Sequence, residues 1–269
     1  MSELQHTPRV LIFDSGVGSL SIGAAIHDLL PELELLYVMD HGGFPYGEWQ
    51  ETALIEHICA EVCAVLVFQP ADILVMACNS ASTAVLPALR AQLNIPVVGV
   101  VPAIKPAAAL SNSRVIGLLA TPGTVSRPYT SQLINDFAGH CHIIKVGSKA
   151  LAPGVEALFW HGQPIDDIVA ELAQEFRHHP RAAEMDTMVL ACTHFPLIHE
   201  QLASYLPGLQ WVDSGQAIAR RVAFILDELQ LPRLTAKPAK QQALILGEEQ
   251  ASKGLRTLLE ERQIQLIDA

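Results

Sequence analysis

One short segment occurs twice in this chain, and it constrains the fold more than any other feature. Residues 72–79 read Asp-Ile-Leu-Val-Met-Ala-Cys-Asn, and residues 186–193 read Asp-Thr-Met-Val-Leu-Ala-Cys-Thr. Asp72, Val75, Ala77 and Cys78 return as Asp186, Val189, Ala191 and Cys192 at a constant offset of 114 (192 − 78). An apolar run that ends in Ala-Cys and a small polar residue is the pattern of a strand buried on both faces in a parallel sheet. Such a strand delivers its last side chain to the carboxyl edge, where open α/β sheets place their sites. Two copies therefore predict two similar α/β halves, each presenting one thiol.

The rest of the chain supports that organisation. Val10 to Phe13 reads as a strand, followed by Asp-Ser-Gly-Val-Gly-Ser and a helix through Leu29. A second strand runs from Leu33 to Met39 and ends at Asp40, and Gly42, Gly43, Pro45 and Gly47 interrupt the chain before a helix at 52–68. The strand to Cys78, a helix near 82–93 and a strand at 96–101 complete an alternation that implies a parallel sheet with crossover helices. Arg114 to Leu119 resembles the opening Arg9 to Phe13 and starts the second half. A strand near 142–146 and helices near 153–160 and 164–178 lead to the strand ending at Cys192. A helix at 217–229, a linker bearing Pro and Lys, a strand at 243–246 and a last helix return to the first half. The expected fold is α/β, with two pseudo-symmetric parallel-sheet lobes and an active site in the cleft between them. The first lobe is expected at 1–100 plus 214–269, the second at 101–213.

Composition narrows the function. Half of the 269 residues are hydrophobic and 17% are charged, a globular balance. No apolar stretch approaches the ~18–20 residues that span a bilayer, and the opening nine residues lack the order of a secretory signal, so a cytoplasmic protein is expected. A net charge of −11 opposes a sequence-independent grip on nucleic acid, and it leaves an acidic substrate dependent on local donors. Five scattered cysteines do not make a disulfide scaffold.

Cys78 and Cys192 are the candidates for chemistry. A buried cysteine is often only a small hydrophobe, but a matched pair at two strand ends, each followed by polar residues, suits paired acid/base groups. Thiols titrate near pH 8.5, and a helix N-terminus favours the thiolate. Two such groups on opposite sides of an α-carbon would invert it without a cofactor. Asn79, Ser80 and Thr193 supply neutral donors for a small carboxylate, and the same groups would serve as helix caps. Asp14-Ser15-Gly16-Val17-Gly18 could instead be a dinucleotide loop with Asp40 as its ribose acid. Ser at position 21 and the charge of Asp14 weigh against that, and an acid there suits an ammonium group or a proton relay beside Cys78. Tyr46 and Gly47 lie on a turn able to bring a tyrosine over the cleft. His194 can tune Cys192, and most of the other histidines read as surface residues. Cys59 and Cys63 read as core. His140-Cys141-His142 hints at zinc, but consecutive strand residues point to alternate faces, so no metal is expected.

The ordered blocks Phe13 to Gly18, Pro45 to Gly47, Ala77 to Ser82, Pro96 to Val100, Ala120 to Pro122, Ala191 to Leu197 and Asp213 to Gly215 together resemble those of the glutamate racemases of the aspartate/glutamate racemase superfamily. The resemblance implies interconversion of L- and D-glutamate for peptidoglycan, with neither metal nor pyridoxal phosphate. It implies that Cys78 serves the D-enantiomer and Cys192 the L-enantiomer, assisted by Asp14 and His194. It also implies that Asp14, Ser15, Tyr46, Gly47, Asn79, Ser80, Thr193 and His194 contact substrate, and it aligns Glu156 with a further assisting acid. A homodimer is compatible with it. Three departures stand out: Ser80 where Thr is commoner, Gly147-Ser148-Lys149 in place of Cys-Pro, and Met39 to Gly43 in place of Gly-Asp-Thr, a change expected to alter loop mobility. The alternatives are a racemase or isomerase for another small acid, such as aspartate, and a binding or regulatory protein of the same fold, since some glutamate racemases inhibit DNA gyrase.

Overall fold

The computed structural model describes residues 7–231, 239–247 and 250–268. The Pro- and Lys-bearing linker, at 232–238, and residues 1–6 of the opening segment lie outside the described residues. The chain divides into two compact units, 1–100 with 215–269, and 101–214.

The first unit begins with β1 (Arg9–Asp14), α1 (Ser19–Leu29), β2 (Glu34–Asp40), α2 (Glu51–Phe68), β3 (Ile73–Met76), α3 (Asn79–Gln92) and β4 (Val97–Gly99). The second holds α4 (Ile104–Leu110), β5 (Val115–Ala120), α5 (Pro122–Ser126), α6 (Pro128–Ala138), β6 (His142–Gly147), α7 (Leu151–His161), α8 (Asp166–Arg177), β7 (Thr187–Ala191), α9 (His199–Tyr205) and β8 (Gln210–Val212). The chain then returns to the first unit with α10 (Gly215–Glu228), β9 (Gln241–Leu246), α11 (Lys253–Glu261) and β10 (Gln265–Ile267).

Among the described residues every strand pairing is parallel. The first sheet has the order β10-β9-β2-β1-β3-β4, the second β6-β5-β7-β8. The segment 2-1-3-4 of the first is repeated as 6-5-7-8 in the second, so the internal repeat extends from one strand to a whole topology. In each, the chain leaves its first strand to one side and later returns to the other. That creates a switch point between β1 and β3, and another between β5 and β7, where parallel sheets leave a crevice at their carboxyl ends.

Strand alternation divides the core of the first unit into two faces. Leu11, Phe13, Leu36, Val38, Leu74 and Met76 pack with Ile58 and Val62 of α2 and Val85 and Leu89 of α3. The opposite face meets α1, which packs on α10, and Gly23 of α1 leaves the space that the Tyr37 ring fills. In the second unit, Ile116, Leu118, Ala120, Val189 and Ala191 pack with Ile104 and Ala107 of α4. Each fully buried aliphatic or aromatic side chain contributes roughly 1.5–3 kcal/mol.

The repeated aspartates explain how the repeat starts. Asp72 accepts the backbone N–H of Arg9 at the head of β1 (2.8 Å). Asp186 accepts those of Asn112 (2.8 Å) and Ser113 (2.7 Å), and the Ser111 hydroxyl (2.6 Å), ahead of β5. Burial raises the Asp186 carboxyl, but these hydrogen bonds prevail and hold its pKa down to about 2.

The structure departs from the sequence pattern at several helices. α3 starts at Asn79 rather than near Ser82, because Asn79 and Ser80 occupy its first turn, and it continues through Pro87. α4, α5, α6 and α9 are additional to the expected elements, as are β8 and the edge strand β10. α5 and α6 open on Pro122 and Pro128, which suit a first helical turn and hide the apolar period.

Candidate active site

In the first unit the switch point lies between Asp14, the last residue of β1, and Cys78, two residues beyond β3. Phe13 lies opposite Met76, and Ala77 N donates to Phe13 O (2.7 Å), so both residues emerge from paired strands at the same edge. The Asp14 carboxylate is buried and its Oδ1 accepts Gly16 N (3.1 Å) and the Ser15 hydroxyl (3.4 Å). Those bonds tie the acid to its own loop and fix the turn into α1.

Cys78 is the N-cap residue of α3, with an extended backbone (φ −76°, ψ 120°). The earlier helix start therefore matters chemically. The positive end of a 14-residue helix starts at this residue, and such an end favours negative charge. Asn79 and Ser80 are buried in the same first turn. Asn79 Oδ1 is buried with no hydrogen-bond partner among the described residues, which leaves an acceptor for a ligand. No side chain caps the helix.

Tyr46, in a short 3-10 turn (Tyr46–Glu48) after a cis Phe44–Pro45 peptide, is buried, whereas Gly47 is exposed. The Tyr46 hydroxyl donates to Asp40 Oδ2 (2.6 Å). Burial first, and then the Asp40 charge and hydrogen bond, push the phenol pKa well up, with the charges of Cys78 and Asp14 acting in the same direction. Asp40, weighed above as a ribose acid, is thus a buried acceptor. It also meets His57 Nε2 (2.5 Å) and Gly43 N (3.2 Å). His57, on α2, is not among the residues that the sequence singles out. Nothing in its own segment marks it, because its partner lies 17 residues away on another element.

In the second unit Cys192 follows β7 at the other switch point, and no long helix starts there. Phe195 N donates to Cys192 O (3.1 Å) and a 3-10 turn, Phe195–Ile198, continues the chain. The thiol has side-chain support instead. Cys192 Sγ lies 3.7 Å from His194 Nδ1, and His194 Nε2 lies 2.6 Å from Glu156 Oε1 on α7. All three are buried, as is Thr193. Burial lowers the His194 pKa, but the hydrogen bonds and charges of Cys192 and Glu156 outweigh it and hold the imidazole well above its usual range. This line can keep a cation against the thiol and relay a proton along the ring.

The structure thus gathers Asp14, Ser15, Tyr46, Gly47, Cys78, Asn79 and Ser80 into the first unit, and Glu156, Cys192, Thr193 and His194 into the second. Cys59 is buried in the core, and burial pushes its thiol up. Cys63, read as core, is only half-buried and reaches Gln92 Oε1 at 4.0 Å. Among the described residues no cluster of three or more His, Cys, Asp or Glu side chains is placed to hold a metal. None of their helices is long and apolar enough to cross a membrane.

The sequence model of the family described as Asp/Glu/Hydantoin racemase matches residues 21–222. The chain is 51% identical over 222 residues to a glutamate racemase of Erwinia tasmaniensis, covering 82% of this chain and 77% of the relative. It is 45% identical over 252 residues to a glutamate racemase of Shewanella loihica, covering 93% and 91%. Its fold is similar to Escherichia coli glutamate racemase, solved with L-glutamate and the activator UDP-MurNAc-ala. There the TM-score is 0.88, with 42% identity and 98% of each chain covered.

Proposed function

The chain belongs to the Asp/Glu/Hydantoin racemase family, and from that membership we propose how its residues carry out the reaction. The reaction is the interconversion of L- and D-glutamate, with D-glutamate supplied to peptidoglycan synthesis, and we assign it to the cytoplasm. An α-hydrogen next to a carboxylate leaves a poorly stabilised carbanion, and inversion needs a proton on the opposite face. Two acid/base groups meet both demands, one starting as thiolate and the other as thiol.

With L-glutamate, the Cys192 thiolate takes the α-proton and becomes a thiol, and the electron pair stays on the α-carbon and its carboxylate. The Cys78 thiol then gives its proton to the other face, yielding D-glutamate and a Cys78 thiolate. With D-glutamate the same steps run backwards. His194, held by Glu156, steadies the Cys192 thiolate, while Asp14 and the head of α3 serve Cys78. Asn79, Ser80 and Thr193 hold the carboxylates with neutral donors, and the Tyr46–Gly47 backbone completes the contacts. Donors placed before the charge develops lower the barrier most.

The observation that carries this reading is the pair of buried cysteines, one at each switch point, each with its own and different acid–base support. The test is optical activity of L-glutamate over time, with reduced protein in deuterated buffer and no added cofactor, beside a parallel sample of L-aspartate. Loss of the glutamate signal with deuterium at the α-carbon is expected. A response to aspartate alone would keep the chemistry and change the substrate, and no response to either would overturn the reading.

A further inference from the structure

Asp40 is 2% exposed, at the carboxyl end of β2, and a buried carboxylate is costly unless its oxygens are matched by donors. Here Gly43 N donates to Oδ1, while Oδ2 takes the Tyr46 hydroxyl and faces His57 Nε2. His57, 24% exposed on its side chain, brings its Nε2 to 2.5 Å from this carboxylate. Its ring is fixed in turn. Trp49 stacks on it, with centroids 4.8 Å apart and planes 29° apart, and Trp49 Nε1 donates to Gly43 O (2.9 Å). Tyr46 meets the same imidazole edge-on, with centroids 6.4 Å apart. Gly43 admits no side chain, since a methyl group would collide with Asp40 Oδ2, His57 Nε2 and Tyr46 Cε1. The cluster therefore closes the segment 43–49 onto β2 and α2 through bonds that depend on one another.

That segment leads into the thiol site. Its 3-10 turn, Tyr46–Glu48, packs on α3, the helix that starts beside Cys78. Tyr46 and Cys78 belong to one buried cluster. We propose that Asp40 and His57 are positioning residues for glutamate binding: the carboxylate–imidazole pair anchors the Tyr46 phenol, and through it sets the Tyr46–Gly47 backbone that receives substrate. The phenol's proton is committed to Asp40, and so is kept from the nearby thiolate. The inference rests on the racemase reading, because it gives the segment a ligand. A device that sets binding rather than proton transfer acts alike on both enantiomers, and it appears in KM rather than kcat.

The experiment compares His57→Phe, which keeps a ring for Trp49 but has no donor, with Tyr46→Phe, which lacks the hydroxyl. Each is expected to raise KM for L- and D-glutamate roughly tenfold, the size of one hydrogen bond to a charged group, with kcat changed less than about threefold. The double variant should be no worse than the poorer single one, because both break the same anchor. His57→Gln, which keeps an N–H donor, should recover most of the lost affinity. A folded His57→Phe protein with unchanged KM, or effects of the two substitutions that multiply, would overturn the inference. So would a fall in kcat with KM unchanged. Should His57→Phe not fold, Asp40→Asn, which weakens the acceptor shared by Tyr46 and His57, takes its place beside Tyr46→Phe, an unchanged KM or multiplied effects again counting against the anchor. Wild-type protein that fails to racemise glutamate would defeat the functional reading itself; active wild type beside an unaffected His57→Phe would defeat only this one.

Discussion

The two cysteine sites start from the same local sequence and end with different chemistry around the thiol. At Cys78 the chain turns at once into a 14-residue helix, and the support proposed for the thiol is the N-terminus of α3 together with Asp14. At Cys192 the chain enters a 3-10 turn, and the thiol instead meets His194, which in turn meets Glu156. A helix end is a fixed partial charge that carries no proton, whereas an imidazole can hold and move one. The repeat therefore keeps where the thiol stands and varies what surrounds it. The difference traces to the residues after each cysteine: Asn79-Ser80-Ala81 continue into a helix, and Thr193-His194-Phe195-Pro196 do not.

The largest effect that would test this comparison is loss of either thiol function. Cys78→Ser and Cys192→Ser each replace a thiol by a hydroxyl far from its titration range. Each should lower racemisation by ~10²–10⁴-fold or more, in both directions, measured by circular dichroism of glutamate. A single variant near wild-type rate would remove one site from the mechanism.

The next effect separates the two sites. L- and D-glutamate have equal free energies, so any variant must lower kcat/KM equally for both. His194→Asn should lower it by ~10²-fold, because it removes the imidazole beside Cys192. The asymmetry appears in isotope washout: exchange of the α-hydrogen should slow more from L-glutamate than from D-glutamate. Asp14→Asn should show the opposite preference. Equal slowing from both enantiomers in both variants would erase the distinction drawn here.

A smaller loss is expected for Glu156→Gln, about tenfold in kcat/KM, since Glu156 acts through His194. Its combination with His194→Asn should add nothing further. Multiplied losses would give Glu156 an independent role.

The smallest effect tests the shared part of the repeat. Asp186→Asn should reduce stability by ~1 kcal/mol near neutral pH, read from urea midpoints, without changing kinetics. The sign follows from a carboxyl whose folded pKa lies at about 2, below its unfolded value near 3.9. Its contribution is present in full above about pH 4 and is lost progressively as pH falls through 2, so the difference between wild type and variant should shrink over that range and vanish only below it. A difference that does not shrink between about pH 4 and pH 2 would make the aspartate's role one of packing rather than charge.

Sequence is most informative where structure is local. Val10 to Phe13, Ile73 to Met76 and Val189 to Ala191 are apolar runs buried on both faces, so their strands, their parallel class and the emergence of a cysteine at the edge can be read directly. It is least informative where a tertiary contact decides. Asn79, Ser80 and Ser82 are indifferent helix formers, so the sequence pattern places the start of α3 three residues late and conceals the helix end at Cys78. The short helices α4 and α5 are made of few residues and carry no long period. The Glu156–His194 contact spans 38 residues, and the Asp40–His57 contact joins the end of a strand to the middle of a helix. No spacing rule within one element reveals either.

The central claim is that one thiol serves each face of the α-carbon. It is tested most directly by NMR of L- and D-glutamate in deuterated buffer with the Cys78→Ala and Cys192→Ala proteins. The account predicts no inversion by either variant. It also predicts that any residual deuterium exchange proceeds with retention, from L-glutamate alone in Cys78→Ala and from D-glutamate alone in Cys192→Ala. Inversion by either variant near the wild-type rate, or exchange with the two preferences reversed, would contradict it.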